Sequence, residues 1–188
     1  CTLRADIMCR YDRRDTFHFL MIFLPFAVTA VGGVIYSGLG WWLLGWLAYA
    51  LFFFFVWEAR VLCSHCPYWA EEGRVLRCHA NYGVIKLWKY NPRPMSRAEG
   101  IQFLAGAALL VLIPIALLVI GGAYLLAGIG LVNGVSFGYL LWHNMCARCV
   151  NFSCPLNHVD ERTRRAFLAR NPVMKAAWDA SREKEGQP

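Results

Sequence analysis

Two long stretches of this chain carry no charged residue. One lies between Asp15 and Glu58 and the other between Glu99 and Arg148, about 42 and 48 residues long, each roughly twice the ~20 apolar residues that cross a bilayer as a helix. In hydrocarbon every backbone N–H and C=O must find a partner inside the protein, so only helices and closed barrels span it. A barrel needs apolar and polar residues to alternate with period two, and neither stretch does so. Charged residues make up 16% of the chain, against roughly 25% in a soluble domain. Disorder, a collagen-like fibre and a small disulfide scaffold are excluded with it. The expected fold class is an all-α integral membrane protein with four transmembrane helices arranged as two hairpins.

Turn signals divide each stretch. Ser37-Gly38-Leu39-Gly40 separates spans near 19–36 and 41–57. Gly121-Gly122 separates spans near 101–120 and 123–142, with 128–134 as the alternative break. Pro25 and Pro114 fall inside spans, where neighbouring helices can satisfy the carbonyls they free. The expected organisation is an N-terminal segment 1–16, a hairpin 17–57, a Cys/His loop 58–100, a second hairpin 101–143 and a Cys/His tail 144–188. All 19 Lys and Arg lie in the first, third and fifth of these segments or at their edges, and neither turn contains one. The three basic segments therefore share one face, which the positive-inside bias makes cytosolic. Both termini are expected there, in the plasma (inner) membrane, with no signal peptide. The net charge of +7 then serves anionic headgroups, and no motif points to nucleic acid.

The cysteines carry the chemistry. Cys1, Cys9, Cys63, Cys66, Cys78, Cys146, Cys149 and Cys154 all lie in the basic segments and none in the spans. A reducing cytosol makes disulfides a poor account of them. Cys63 and Cys66 precede Cys78 and His79 in the pattern C-x2-C-x11-C-H, and Cys146 and Cys149 precede Cys154 and His158 in C-x2-C-x4-C-x3-H. A C-x2-C turn lets two thiolates converge on one ion, and zinc takes four N/S ligands in a tetrahedron. Two zinc ions are expected, one per cluster, with Cys9 and His65 as alternative ligands in the first. An iron–sulfur cluster is the alternative cofactor, since Cys66-Pro67 and Cys154-Pro155 are similar to a ferredoxin ending, although the x4 step and closing histidine depart from it.

Other features read more plainly. His18 and His143 stand at span ends, where histidines meet headgroups, and a haem held between them is the sharper alternative. Trp41, Trp42 and Trp46 on one side and Trp57, Trp69, Trp88 and Trp142 on the other suit interfacial belts. Residues 82–94 mix aromatic and basic residues as a membrane-surface segment does. Asn171-Pro172 opens a helix whose Met174, Ala177 and Trp178 share a face, and 181–188 is expected to be disordered.

Four helices with a cysteine-rich segment between the second and third resemble the layout of protein S-acyltransferases, but their Asp-His-His-Cys signature is absent. No nucleotide loop, triad or carboxylate pair is present. The function expected is a metal-stabilised membrane subunit or scaffold that docks a cytosolic partner. The alternatives are a redox subunit passing electrons to a membrane acceptor, and a thiol- or zinc-dependent membrane enzyme that uses a cysteine nucleophile, with Cys9 and Cys78 as candidates, or a zinc-bound thiolate on a lipid or thiol substrate.

Overall fold

The structure, a computed structural model, describes residues 6–184 and Gly186. Four helices are long and apolar enough to cross a membrane: α1 (Arg13–Tyr36), α2 (Trp42–His65), α3 (Arg97–Ile120) and α4 (Tyr124–Arg148). Two amphipathic helices follow, α5 (Glu161–Ala169) and α6 (Pro172–Lys184). Among the described residues there is no strand, only an isolated antiparallel bridge between Val75 and Ile85. Cys1 lies outside the described residues.

Charge and capping set where these helices begin. Asp12 caps α1 by accepting from the Arg14 N–H at 3.0 Å. At α3, Ser96 and Glu99 form a reciprocal capping box, and Arg93 grips the same Glu99 through both guanidinium nitrogens at 2.8 and 2.7 Å. The two turns between spans share one design. In the first, Gly38 (φ 78°) follows Ser37, and in the second Gly122 (φ 72°) follows Gly121. Each glycine takes the left-handed conformation that closes a helix C-terminus and that a side chain would strain. The turns also meet, because a Cβ on Gly121 would lie 2.6 Å from Ser37 Cβ.

Packing departs from two independent hairpins. The principal contacts of α1 are with α4 and α3, and those of α2 are with α3. Small residues account for this. A Cβ on Gly33 would lie 2.8 Å from Leu118, and one on Gly134 would lie 3.0 Å from Val111, so α1 and α4 both admit α3. Asn133 Nδ2 on α4 reaches Thr29 Oγ1 on α1 at 3.0 Å. Across the bundle, α2 bonds α3 through Trp46 Nε1 to the Leu110 carbonyl (3.0 Å) and Tyr49 OH to the Gly106 carbonyl (2.9 Å). The outward faces, Leu20, Val28, Leu47, Leu112 and Val132 among them, are exposed, as lipid contact requires.

α2 and α4 run past their expected ends. Each widens into a π turn, Phe53–Trp57 and Leu141–Met145, then closes with a 3-10 turn, Cys63–His65 and Cys146–Arg148. The C-x2-C motifs thus finish spanning helices instead of starting loops. Beyond them lies a second core, which α2 enters through Ala59 and Cys63, of Ile7, Tyr68, Trp69, Leu76, Val84, Val150, Phe152, Leu168, Met174 and Trp178. Met174 and Trp178 seat α6 as their spacing implies. Three expectations change here. Trp69 is 3% exposed and donates to the Trp88 carbonyl at 2.9 Å, so it belongs to this core and not to an interfacial belt. Trp88 and Tyr90 also pack on this core, while Ile85 and Leu87 stay exposed. The final helix continues through Lys184, past the residue where disorder was expected; residues 185, 187 and 188 lie outside the described ones.

A candidate thiol centre in the cap

The cap is tied to the ends of α2 and α4. The Met8 N–H donates to the Arg148 carbonyl at 2.7 Å, and the Asn91 N–H to the Ser64 carbonyl at 2.8 Å. Asn151 Nδ2, from the tail, donates to the Leu62 carbonyl at 3.2 Å, at the end of α2. This last bond joins one C-x2-C motif to the other.

Those motifs have the same backbone. Leu62 and Met145, which precede them, have φ/ψ of −118°/−57° and −104°/−45°. Their second cysteines are extended, Cys66 at −82°/139° and Cys149 at −75°/134°. Pro67 accounts for the first, since a residue before proline is driven out of the helical region. Val150 has no such effect, so the second copy is set by its surroundings.

Of the described cysteines, Cys63, Cys66, Cys78, Cys146, Cys149 and Cys154 are free. Cys9 is disulfide-bonded. It has no thiolate to offer, which corrects both its place as an alternative ligand and the expectation that no disulfide forms. The two sets of thiols, far apart in sequence, meet in one cap. Cys66 is acted on electrostatically by Cys78 and Cys154, and Cys149 by Cys66, Cys78 and Cys154. Backbone N–H groups are directed at four sulfur atoms: Tyr68 at Cys66, Ala80 and Asn81 at Cys78, Asn151 at Cys149 (3.4 Å), and Leu156 and Asn157 at Cys154. Burial pushes the Cys66 and Cys149 thiols well up and raises Cys154 to about 12. Cys78 differs. Burial raises it too, but the neighbouring His79 charge and hydrogen bond, with the Ala80 and Asn81 N–H groups, together hold it below the ordinary thiol range. Cys78 Sγ and His79 Nδ1 are 3.9 Å apart.

The other expected ligands are placed differently. His65 is 1% exposed, with Nδ1 2.9 Å from the Arg93 carbonyl and Nε2 3.6 Å from Glu99 Oε1. Both its nitrogens therefore serve the joint between α2 and α3. His158 is exposed and stacks on Trp142 with ring centroids 4.3 Å apart. Among the described residues, no three His, Cys, Asp or Glu side chains stand close enough together to hold a metal ion as they are placed.

Sequence spacing did not mark three buried polar residues here. Asn81 Nδ2 faces the Phe54 carbonyl (3.3 Å), Glu58 Oε2 (3.4 Å) and Cys63 Sγ (3.7 Å). The Phe54 carbonyl lies in the π turn, so a cap residue braces the widened helix. Glu58 reads as a loop residue by charge but is buried in α2. Asn151 has no periodic or motif signal at all. Separately, a cleft of about 530 Å³ between α1 and α4 brings together His18 and His143 with Met8, Met21 and Met145.

No family model, curated protein or solved structure matches this chain.

Proposed function

We propose that the protein is a membrane-anchored subunit whose cytosolic cap is held by a thiol-bound metal and presented to a protein partner. Zinc is the metal in preference to an iron–sulfur cluster. The observation that carries this reading is the collection of six free thiols, from residues 63–78 and 146–154, into one cap. These six thiols are unpaired, whereas Cys9 is in a disulfide, and thiolates are among the ligands that structural zinc takes. Basic residues on every segment of that face support a cytosolic orientation and contact with anionic headgroups. The amphipathic α5 and α6 complete the cap and leave a charged outer face for a partner.

Elemental analysis and an absorbance spectrum of protein purified in detergent without oxygen test this. Zinc with no visible absorbance is expected. Iron with a brown colour would replace it with the redox subunit. Metal-free protein in which every cap thiol titrates would overturn it. The Cys78–His79 pair favours one second reading, a thiol enzyme. Rapid alkylation of Cys78 alone in the purified protein, with the other thiols spared, would favour that reading over the first.

A further inference from the structure

We infer that the cleft between the ends of α1 and α4 binds one phospholipid with an ethanolamine headgroup, the Arg148 guanidinium taking its phosphate and the Asp15 carboxylate its ammonium. This stands apart from the metal-holding reading above, because no cysteine lines the cleft.

Position along the chain selects a lipid. Asp15 is the last charged residue before the first uncharged stretch, and Arg148 is the first after the second. Packing of α1 on α4 therefore sets both at the border between polar and apolar sequence, the level at which a phospholipid carries its own charges. The cleft, about 530 Å³, falls within the roughly 300–1,000 Å³ of small-molecule sites. Its lining also grades as a phospholipid does. Asp15, His18 and Ile22 follow one another along a single face of α1 at helical spacing. The carboxylate thus stands at the polar end, and Ile22 lies roughly two turns farther into the span, where acyl chains begin.

Charge selects the headgroup. Asp15 and Arg148 both line the cleft, yet no ion pair joins them. The Arg148 carbonyl is fixed by the Met8 N–H at 2.7 Å, and its exposed guanidinium offers a fork of donors that suits phosphate. The π turn Leu141–Met145 brings consecutive residues, His143, Asn144 and Met145, to the cleft. Its wider helix turns less per residue than an α-helix, so neighbouring side chains stay on one side. Asn144 Nδ2 donates to the Leu140 carbonyl at 3.0 Å, which leaves its Oδ1 as a second acceptor for an ammonium. His18 and His143 add ring nitrogens for phosphate oxygens. One anion and one cation suit a zwitterion. Phosphatidylglycerol has a phosphate and no ammonium, so it sets a like charge against Asp15. A choline ammonium donates no hydrogen bond and is recognised by aromatic faces, and no Phe, Tyr or Trp lines the cleft.

The test uses the full chain in detergent micelles that hold a tail-labelled fluorescent phosphatidylethanolamine, displaced by unlabelled lipids with the same acyl chains. One phosphatidylethanolamine per chain is expected. Phosphatidylglycerol and phosphatidylcholine should compete at least about tenfold less well, the worth of one hydrogen bond to a charged group. Arg148→Gln should weaken all three lipids at least about tenfold. Asp15→Asn should weaken phosphatidylethanolamine and strengthen phosphatidylglycerol, a reversal of preference that misfolding does not produce. Equal competition by the three lipids on the unsubstituted protein would overturn the site, as would an unchanged preference in Asp15→Asn. Soluble phosphoethanolamine competing as well as the lipid would overturn the lipid as its source. A haem absorbance band in the purified protein would give the cleft to His18 and His143 as haem ligands instead.

Discussion

Asn151 holds together what the chain keeps apart. Its backbone N–H faces Cys149 Sγ and its side-chain Nδ2 donates to the Leu62 carbonyl, while its side-chain Oδ1 is buried without a partner. Asn151→Ala should cost about 0.5–1.5 kcal/mol, the net worth of one hydrogen bond, because the Leu62 carbonyl keeps the His65 N–H, and leave metal stoichiometry unchanged because the backbone donor survives. Asn151→Asp should be worse, since it places a carboxylate among thiols. Thermal unfolding in detergent, with zinc content measured in parallel, checks both. Asp160 makes a pH-dependent counterpart. Hydrogen bonds from the Thr163 side chain and backbone hold its carboxyl below the ordinary value. Its support for α5 is therefore complete above about pH 3.9, the free value, and is lost as pH falls through the lowered one. Exchange protection of the Thr163 amide should stay flat from neutral pH down to about that value and then drop. A drop centred near the histidine range would contradict this. Neither the asparagine nor the aspartate pairing was legible beforehand.

At the scale of elements, close approach decides where the bundle is sensitive. A Cβ on Gly106 would sit 2.3 Å from the Phe53 ring, whereas one on Gly128 would meet nothing within 4 Å. Phe53 is 2% exposed and its ring has nowhere to go. Gly106→Ala should therefore destabilise by about 1–3 kcal/mol, as overpacking does, and Gly128→Ala should be neutral or slightly stabilising. Melting curves of the two variants in one detergent decide it; equal behaviour would mean that α2 does not approach α3 at this glycine. Four spans and both turns were legible because missing charge and paired glycines are strong signals. The extension of α2 and α4 through π turns was not. Glu58 and Arg60 marked the edge of the apolar stretch, but a helix does not end where its polarity changes.

The molecule as a whole is a bundle with a thiol-rich cap, and the orientation proposed for it, cap in the cytosol, gives a further prediction. Tyr36 and Tyr124 flank the two turns and are 82% and 70% exposed. Tyr36→Cys and Tyr124→Cys should react with an impermeant maleimide in intact cells, while the cap thiols stay unlabelled until lysis. Labelling of the cap from outside would invert the orientation. Spacing compares only neighbours in sequence, so it could not reveal that residues beside both C-x2-C turns, Cys66 and Val150 among them, share one core. That meeting has a temporal side. Cys63, Cys66 and Cys78 leave the ribosome long before Val150, Phe152, Met174 and Trp178, which share a core with Cys63 and Cys66. A half-made chain would carry bare sulfur, open to oxidants and stray ions, until its last fifth arrived.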